Sequence, residues 1–109
     1  MEKRLMIESL KISVVIPVFN EELVLREFYP RLKKEAESWG KSYELLFIDD
    51  GSTDSTLSIL EEYQVKDDRF HFYERPSDML QGGNAARNLG YSKSSGIYIQ
   101  WFDSDDVML

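Results

Sequence analysis

The sequence predicts an α/β fold of three αβα layers around a doubly wound, mainly parallel sheet. Three observations predict it. Four short runs, "KISVVIPVF", "YELLFIDD", "RFHFYER" and "GIYIQWFD", are continuously apolar or alternate as strands do. Segments with apolar residues at helical spacing separate them. Turn and cap residues mark the junctions, giving the order β-α-β-α-β-α-β with no internal repeat, low-complexity tract or linker.

Each element has its own warrant. "KISVVIPVF" is an unbroken β-branched run, the pattern of a strand covered on both faces. After it, "NEE" reads as a helix start with Asn20 as cap and acids in the first turn. Leu25, Phe28, Leu32, Ala36 and Trp39 then form one apolar stripe, and Gly40 stands where a C-terminal cap belongs. Pro30 falls inside this helix and predicts a kink. "YELLFIDD" is the second strand, "GSTDS" its turn and cap, and "TLSILEEYQV" a helix burying Leu57, Leu60 and Tyr63. "RFHFYER" alternates as a strand with one wetter face, and "PSDMLQGG" is a loop. "NAARNLGYSKS" is a short helix whose small residues allow close packing, and "GIYIQWFD" is the fourth strand. Residues 1–10 read as an extension before the domain, which occupies 11–109.

Composition bounds the function. A chain of 109 residues suits one domain. It has no cysteine and one histidine, which excludes disulfide frameworks, thiolate metal sites and multi-imidazole zinc sites. A net charge of −7 disfavours nucleic acid as a partner. Any phosphorylated ligand would need a cation or a local arginine beside it. The longest apolar run, "ISVVIPV", is far shorter than the roughly 20 residues of a membrane helix, and the N-terminus lacks a signal-peptide pattern. The expected location is the cytoplasm, or the inner face of the cell membrane as a peripheral protein.

In such a sheet, ligands bind beyond the carboxyl ends of the strands, where the strand order reverses. The first, second and fourth strands end there in "PVFNE", "DDGSTD" and "DSDD". Burial would not select aspartates at these places, because clustered carboxylates repel and resist desolvation. A divalent cation removes that penalty, and "DSD" offers hard oxygen donors suited to Mg2+ or Mn2+ on phosphate oxygens.

The ordered set "PVFNE", "IDDGSTDST", "GGNAARNLG" and "YIQWFDSDD", spanning Lys11 to Asp106, resembles the first half of the family 2 glycosyltransferases. The resemblance implies a GT-A fold and a nucleotide-diphospho-sugar donor. It implies that Pro17, Val18 and Phe19 line the base pocket through main-chain contacts and that Glu21 sits at ribose and base. Asp50 would accept a hydrogen bond from the base, uracil by family role, while Arg87 would lie near the pyrophosphate, with Asn84 as a further substrate-binding candidate. Asp103 would meet the ribose and sugar, and Asp105 would hold Mn2+ or Mg2+, with Asp103 as a second candidate ligand and Asp106 bracing the loop. Family members continue past this length, and the acceptor site and general base belong to that second half. The chain is thus expected to be a truncated, donor-binding part with an unknown glycan, lipid or protein acceptor. Sheet surface left uncovered would favour self-association.

Other readings stand beside these. The chain could bind a donor without transferring it. "IYIQWFDSDDV" also resembles the opening motif of haloacid-dehalogenase-like phosphatases, with Asp103 as nucleophile and Asp105 as acid/base, although "IDDGSTDST" is then unexplained. Strand alternation turns Asp49 away from Asp50 and towards a structural role. His71, Trp39, Phe47, Phe70 and Phe72 read as structural, and packing is the expected role of Trp101 and Phe102.

Overall fold

A computed structural model of the chain describes residues 11–76, 83–96 and 98–101. The elements follow the predicted order: β1 (Lys11–Val18), α1 (Glu22–Glu37), β2 (Ser42–Asp49), α2 (Thr56–Lys66), β3 (Phe70–Glu74), α3 (Gly83–Lys93) and β4 (Tyr98–Trp101). Four strands form one parallel sheet in the order β3-β2-β1-β4. The register sets Val14 beside Leu45, Leu45 beside Phe70, and Ile12 beside Tyr98.

Alternation along the strands divides the core into two layers. Val14, Ile16, Val18, Leu45, Phe47 and Phe70 pack with Leu25, Phe28, Leu32 and Ala36 of α1 and Ile59 and Leu60 of α2. Val15, Leu46 and Ile48 point the other way and meet Ala86 of α3. The central strands β1 and β2 are therefore covered on both faces, as their unbroken apolar runs predict. Burying each such Leu or Phe contributes roughly 1.5–3 kcal/mol. On the first face the rings interlock: Phe47 stacks on Phe70 at 4.6 Å and meets Phe28 edge-on at 6.1 Å. Trp39 and Phe72 pack at the margin of this layer.

The helices depart from expectation in two places, the cap of α1 and the buried stripe of α2. The residue capping α1 is Glu21, not Asn20; Asn20 adopts φ 50° and turns its side chain to another loop. Helix α1 runs from Glu22 to Glu37 with Pro30 inside it. Pro30 is exposed, and the buried residues on either side, Phe28 and Leu32, hold the helix through the missing N–H. Helix α2 buries Thr56, Ile59 and Leu60, with Leu57 and Tyr63 only partly covered, so its buried stripe is rotated from the predicted one. Gly40, at φ +64°, supplies the left-handed turn before β2.

Two polar groups, one buried and one half-buried, tie distant segments. The Glu44 carboxylate on β2 accepts hydrogen bonds from Ser13 Oγ (2.5 Å), Ser95 N–H (2.7 Å) and Ser95 Oγ (3.0 Å), and it lies 3.4 Å from Lys11 Nζ. Ser13 Oγ also accepts the Gly96 N–H at 2.8 Å, so the α3–β4 connection is stitched to the amino ends of β1 and β2. Burial works to raise the Glu44 pKa, but these donors and Lys11 outweigh it, and the group is held below its ordinary value. On the other face, Tyr29 Oη donates to Asp67 Oδ2 at 2.6 Å. Burial and then Asp67 push the Tyr29 hydroxyl well above its ordinary range.

Candidate functional site

Strands β1, β2 and β3 step outwards in one direction, whereas β4 returns to the opposite side of β1. The reversal lies at β1, and the loops beyond the carboxyl ends of these strands form the rim where a parallel sheet presents a ligand crevice.

The loop after β1 is held by the loop after β2. Asn20 N–H donates to Ser52 Oγ at 2.8 Å, and Thr53 N–H donates to Asn20 Oδ1 at 2.8 Å. Glu21 N–H donates to Thr56 Oγ1 at 2.9 Å. Asp54 sits between the amino ends of two helices: Oδ1 accepts Thr56 N–H at 2.9 Å, and Oδ2 accepts Glu22 N–H at 3.4 Å. A carboxylate suits that position because both helix ends present donors and positive dipole charge. Burial works to raise the Asp54 pKa, but the Thr56 and Glu22 bonds prevail and lower it. "GSTDST" is thus a clasp between two loops as well as a helix start.

Asp49 and Asp50 divide as alternation predicts. Asp49 is buried, and its Oδ2 accepts the N–H groups of Gly51 (3.1 Å) and Ser52 (3.0 Å). It shapes the turn, in which Gly51 takes φ +94°. Asp50 stands at the rim, its N–H donating to Val18 O at 2.9 Å. Its carboxylate forms an ion pair with Arg75, whose Nε donates to Asp50 Oδ1. Arg75 was absent from the residues singled out by sequence. The available signal was its place directly after β3, level with Asp50 because Asp49 and Glu74 share a register position.

The other predicted residues are distributed around this rim. Val18 is buried in the α1 and α2 layer, leaving its main chain at the rim; Pro17 is half-buried, and Phe19 is exposed. Glu21 is half-buried at the start of α1. Arg87 lies half-buried on α3. Asn84 belongs to the first turn of that helix, and its side chain lies outside the described residues. Gly90 brings α3 close: a Cβ there would lie 2.3 Å from Val15 Cγ1. Small residues on α3 thus serve close packing, as expected.

Asp103, Asp105, Asp106 and Phe102 lie outside the described residues. Among the described residues, no group of three His, Asp or Glu side chains could hold a metal ion. Trp101, at the end of β4, is 41% exposed on an edge strand, so packing within the described fold does not account for it. No helix among the described residues is long and apolar enough to cross a membrane.

Comparison with known proteins gives this rim a context. The model of the family described as "Glycosyl transferase family 2" matches residues 13–109. An undecaprenyl-phosphate 4-deoxy-4-formamido-L-arabinose transferase of Salmonella paratyphi B is 39% identical over 95 residues, covering 87% of this chain and 29% of that protein. The crystal structure of Staphylococcus aureus TarS 1–349 in complex with UDP superposes with a TM-score of 0.69 at 30% identity, over 87% of this chain and 27% of its own. A Pyrobaculum calidifontis mannosyltransferase, solved with GDP-Man and Mn2+, shares the fold at TM-score 0.68 and 18% identity, over 86% of this chain and 27% of its own. The chain thus spans less than a third of each of these proteins.

Proposed function

This chain belongs to glycosyl transferase family 2, and from that premise we propose that it is the donor-binding part of a transferase using a UDP-linked sugar. The observation that carries the reading is Asp50, a carboxylate held at the carboxyl edge of β2 beside the clasped loop after β1. A fixed acceptor at that place suits the N3–H of uracil. Pro17, Val18 and Phe19 line the base through main-chain groups, and Glu21 faces ribose and base. Arg87, with Asn84 near it, offers positive charge to the pyrophosphate on a helix brought close to the sheet by Gly90.

Asp103 and Asp105 are the hard oxygen donors for Mn2+ or Mg2+, with Asp105 as the principal ligand. The ion would supply charge neutralisation of the departing diphosphate. Residues of this chain bind and orient the donor, and the general base is assigned to none of them. A lipid phosphate acceptor is in keeping with the name of the Salmonella relative. The match over residues 13–109 favours a transferase over the phosphatase reading of Asp103.

Calorimetric titration with UDP, with and without Mn2+, tests this. UDP should bind, and Asp50→Ala should weaken it about tenfold, the loss of one hydrogen bond to a charged group. Asp105→Ala should abolish the Mn2+ dependence. Equal UDP affinity in Asp50→Ala would refute the base assignment, and an unchanged Mn2+ dependence in Asp105→Ala would refute the metal assignment. Sugar transfer or donor hydrolysis separates an enzyme from a binding module.

A further inference from the structure

We propose that Glu44, together with Ser13 and Ser95, positions the acidic segment that holds the metal, acting from the far end of the sheet by fixing the register in which β4 pairs with β1. This rests on the reading of Asp103 and Asp105 as metal donors and adds to it a positioning device remote from the ligand crevice.

Glu44 and Ser13 share a register position near the amino ends of β2 and β1, and alternation turns both to the α3 side of the sheet, as it turns Val15 and Leu46. Both are buried, Ser13 at 0% and Glu44 at 5% exposure. Strand β1 lies between β2 and β4, and the carboxylate reaches across it to the chain entering β4. Glu44 Oε2 accepts the Ser95 N–H, and Ser13 Oγ accepts the Gly96 N–H, so two successive main-chain groups are held. The approach is close: a Cβ on Gly96 would lie 2.6 Å from Lys11 O and 2.6 Å from Ser13 Oγ. Lys11 Nζ closes the outer side by donating to Ser95 Oγ at 3.0 Å.

Strand β4 needs such a hold. It is a four-residue edge strand in which Tyr98, Gln100 and Trp101 are exposed and Ile99 alone is partly covered. Register is set where one face of a strand is buried, and here burial offers a single side chain. A slip of one residue would move the end of β4 by about 3.3 Å and turn its side chains to the opposite face. Asp103 and Asp105 follow Trp101 by two and four positions in the chain. Metal coordination accepts errors of only about 0.2 Å, so a slipped strand would misplace both donors. Packed apolar residues often replace a buried charge network with no loss of stability. Directional hydrogen bonds add something apolar contact does not, a single alignment, here Ile12 beside Tyr98 and Val15 beside Trp101.

The test titrates UDP calorimetrically into the whole protein, with and without Mn2+, and follows amide hydrogen exchange of the metal-free protein. In Glu44→Ala the gain in UDP affinity on adding Mn2+ should fall about tenfold, the lower end of the range for groups that orient metal ligands, while the Mn2+-free affinity changes by less than about twofold. The Tyr98–Trp101 segment should exchange about tenfold faster, with α2 unchanged. Glu44→Gln, which keeps one acceptor oxygen for the serines, should recover part of both effects. A merely structural role would lower both affinities together or quicken exchange throughout; either result overturns the proposal, as does an unchanged Mn2+ gain. If UDP binding to the unmodified protein ignores Mn2+, the metal reading fails, and exchange decides the register role by itself: faster exchange confined to β4 upholds it, and unchanged protection refutes it. Should Glu44→Ala not fold, Ser13→Ala takes its place, and a Mn2+ gain equal to that of the unmodified protein refutes the proposal.

Discussion

Replacing Gly90 by alanine puts a methyl group where the sheet leaves no room. The new carbon would lie 2.3 Å from Val15 Cγ1, 3.2 Å from Cγ2 and 3.3 Å from Cβ. Ordinary contact begins near 3.4 Å, so the overlap with Cγ1 is about 1 Å. Val15 cannot retreat easily: it is fully buried on β1, which is hydrogen-bonded to β2 on one side and β4 on the other. Overpacking of this kind costs about 1–3 kcal/mol. Alanine regains about 0.8–1 kcal/mol of helix propensity over glycine. The expected net loss is thus about 1–2 kcal/mol at the tight end, or roughly 4–8 °C in Tm per kcal/mol for a domain of this size. Thermal unfolding followed by circular dichroism measures it. Val15→Ala in the same chain should relieve the clash, giving a double mutant more stable than the two separate losses imply. UDP affinity should fall in Gly90→Ala as well, because α3 carries Arg87. A Tm equal to or above that of the unmodified protein would refute the close approach of α3 to β1.

Two further predictions concern carboxylates that join distant segments. Glu44→Gln should destabilise the fold by about 1–3 kcal/mol near neutral pH, since it weakens bonds to Ser13 and Ser95 and removes the charge facing Lys11. The folded pKa of Glu44 is depressed, so its stabilisation is complete above the ordinary carboxylate range and disappears as pH falls through the folded value; denaturant titrations should show a flatter acid limb in Glu44→Gln. Asp54→Ala should lower both Tm and UDP affinity, because it opens the clasp between the amino ends of α1 and α2. Asp54→Asn, which keeps one acceptor, should fall between, and a Tm that does not move in Asp54→Ala would show that the clasp holds nothing.

Much of this architecture was legible as local pattern. The unbroken apolar run Val14–Ile16 and the stripe Leu25, Phe28, Leu32 and Ala36 announce their burial directly, since period and polarity are properties of neighbouring residues. The separation of Asp49 from Asp50 is equally local, a consequence of the two-residue strand period. The reading failed where a local signal had a distant competitor. Asn20 looks like a helix cap, but its side chain is taken by Thr53, and Thr56 Oγ1 receives the Glu21 N–H instead.

From the order of residues alone came the α/β alternation, the family, and the acids at the strand ends. Folding in three dimensions decided which groups face one another. Arg75 finds Asp50 across 25 positions, Ser95 finds Glu44 across 51, and Gly96 finds Ser13 across 83. Such pairs depend on the strand order β3-β2-β1-β4 and its register, which no stretch of the chain contains by itself. Periodicity states how deeply a side chain is buried; only the assembled sheet states beside what.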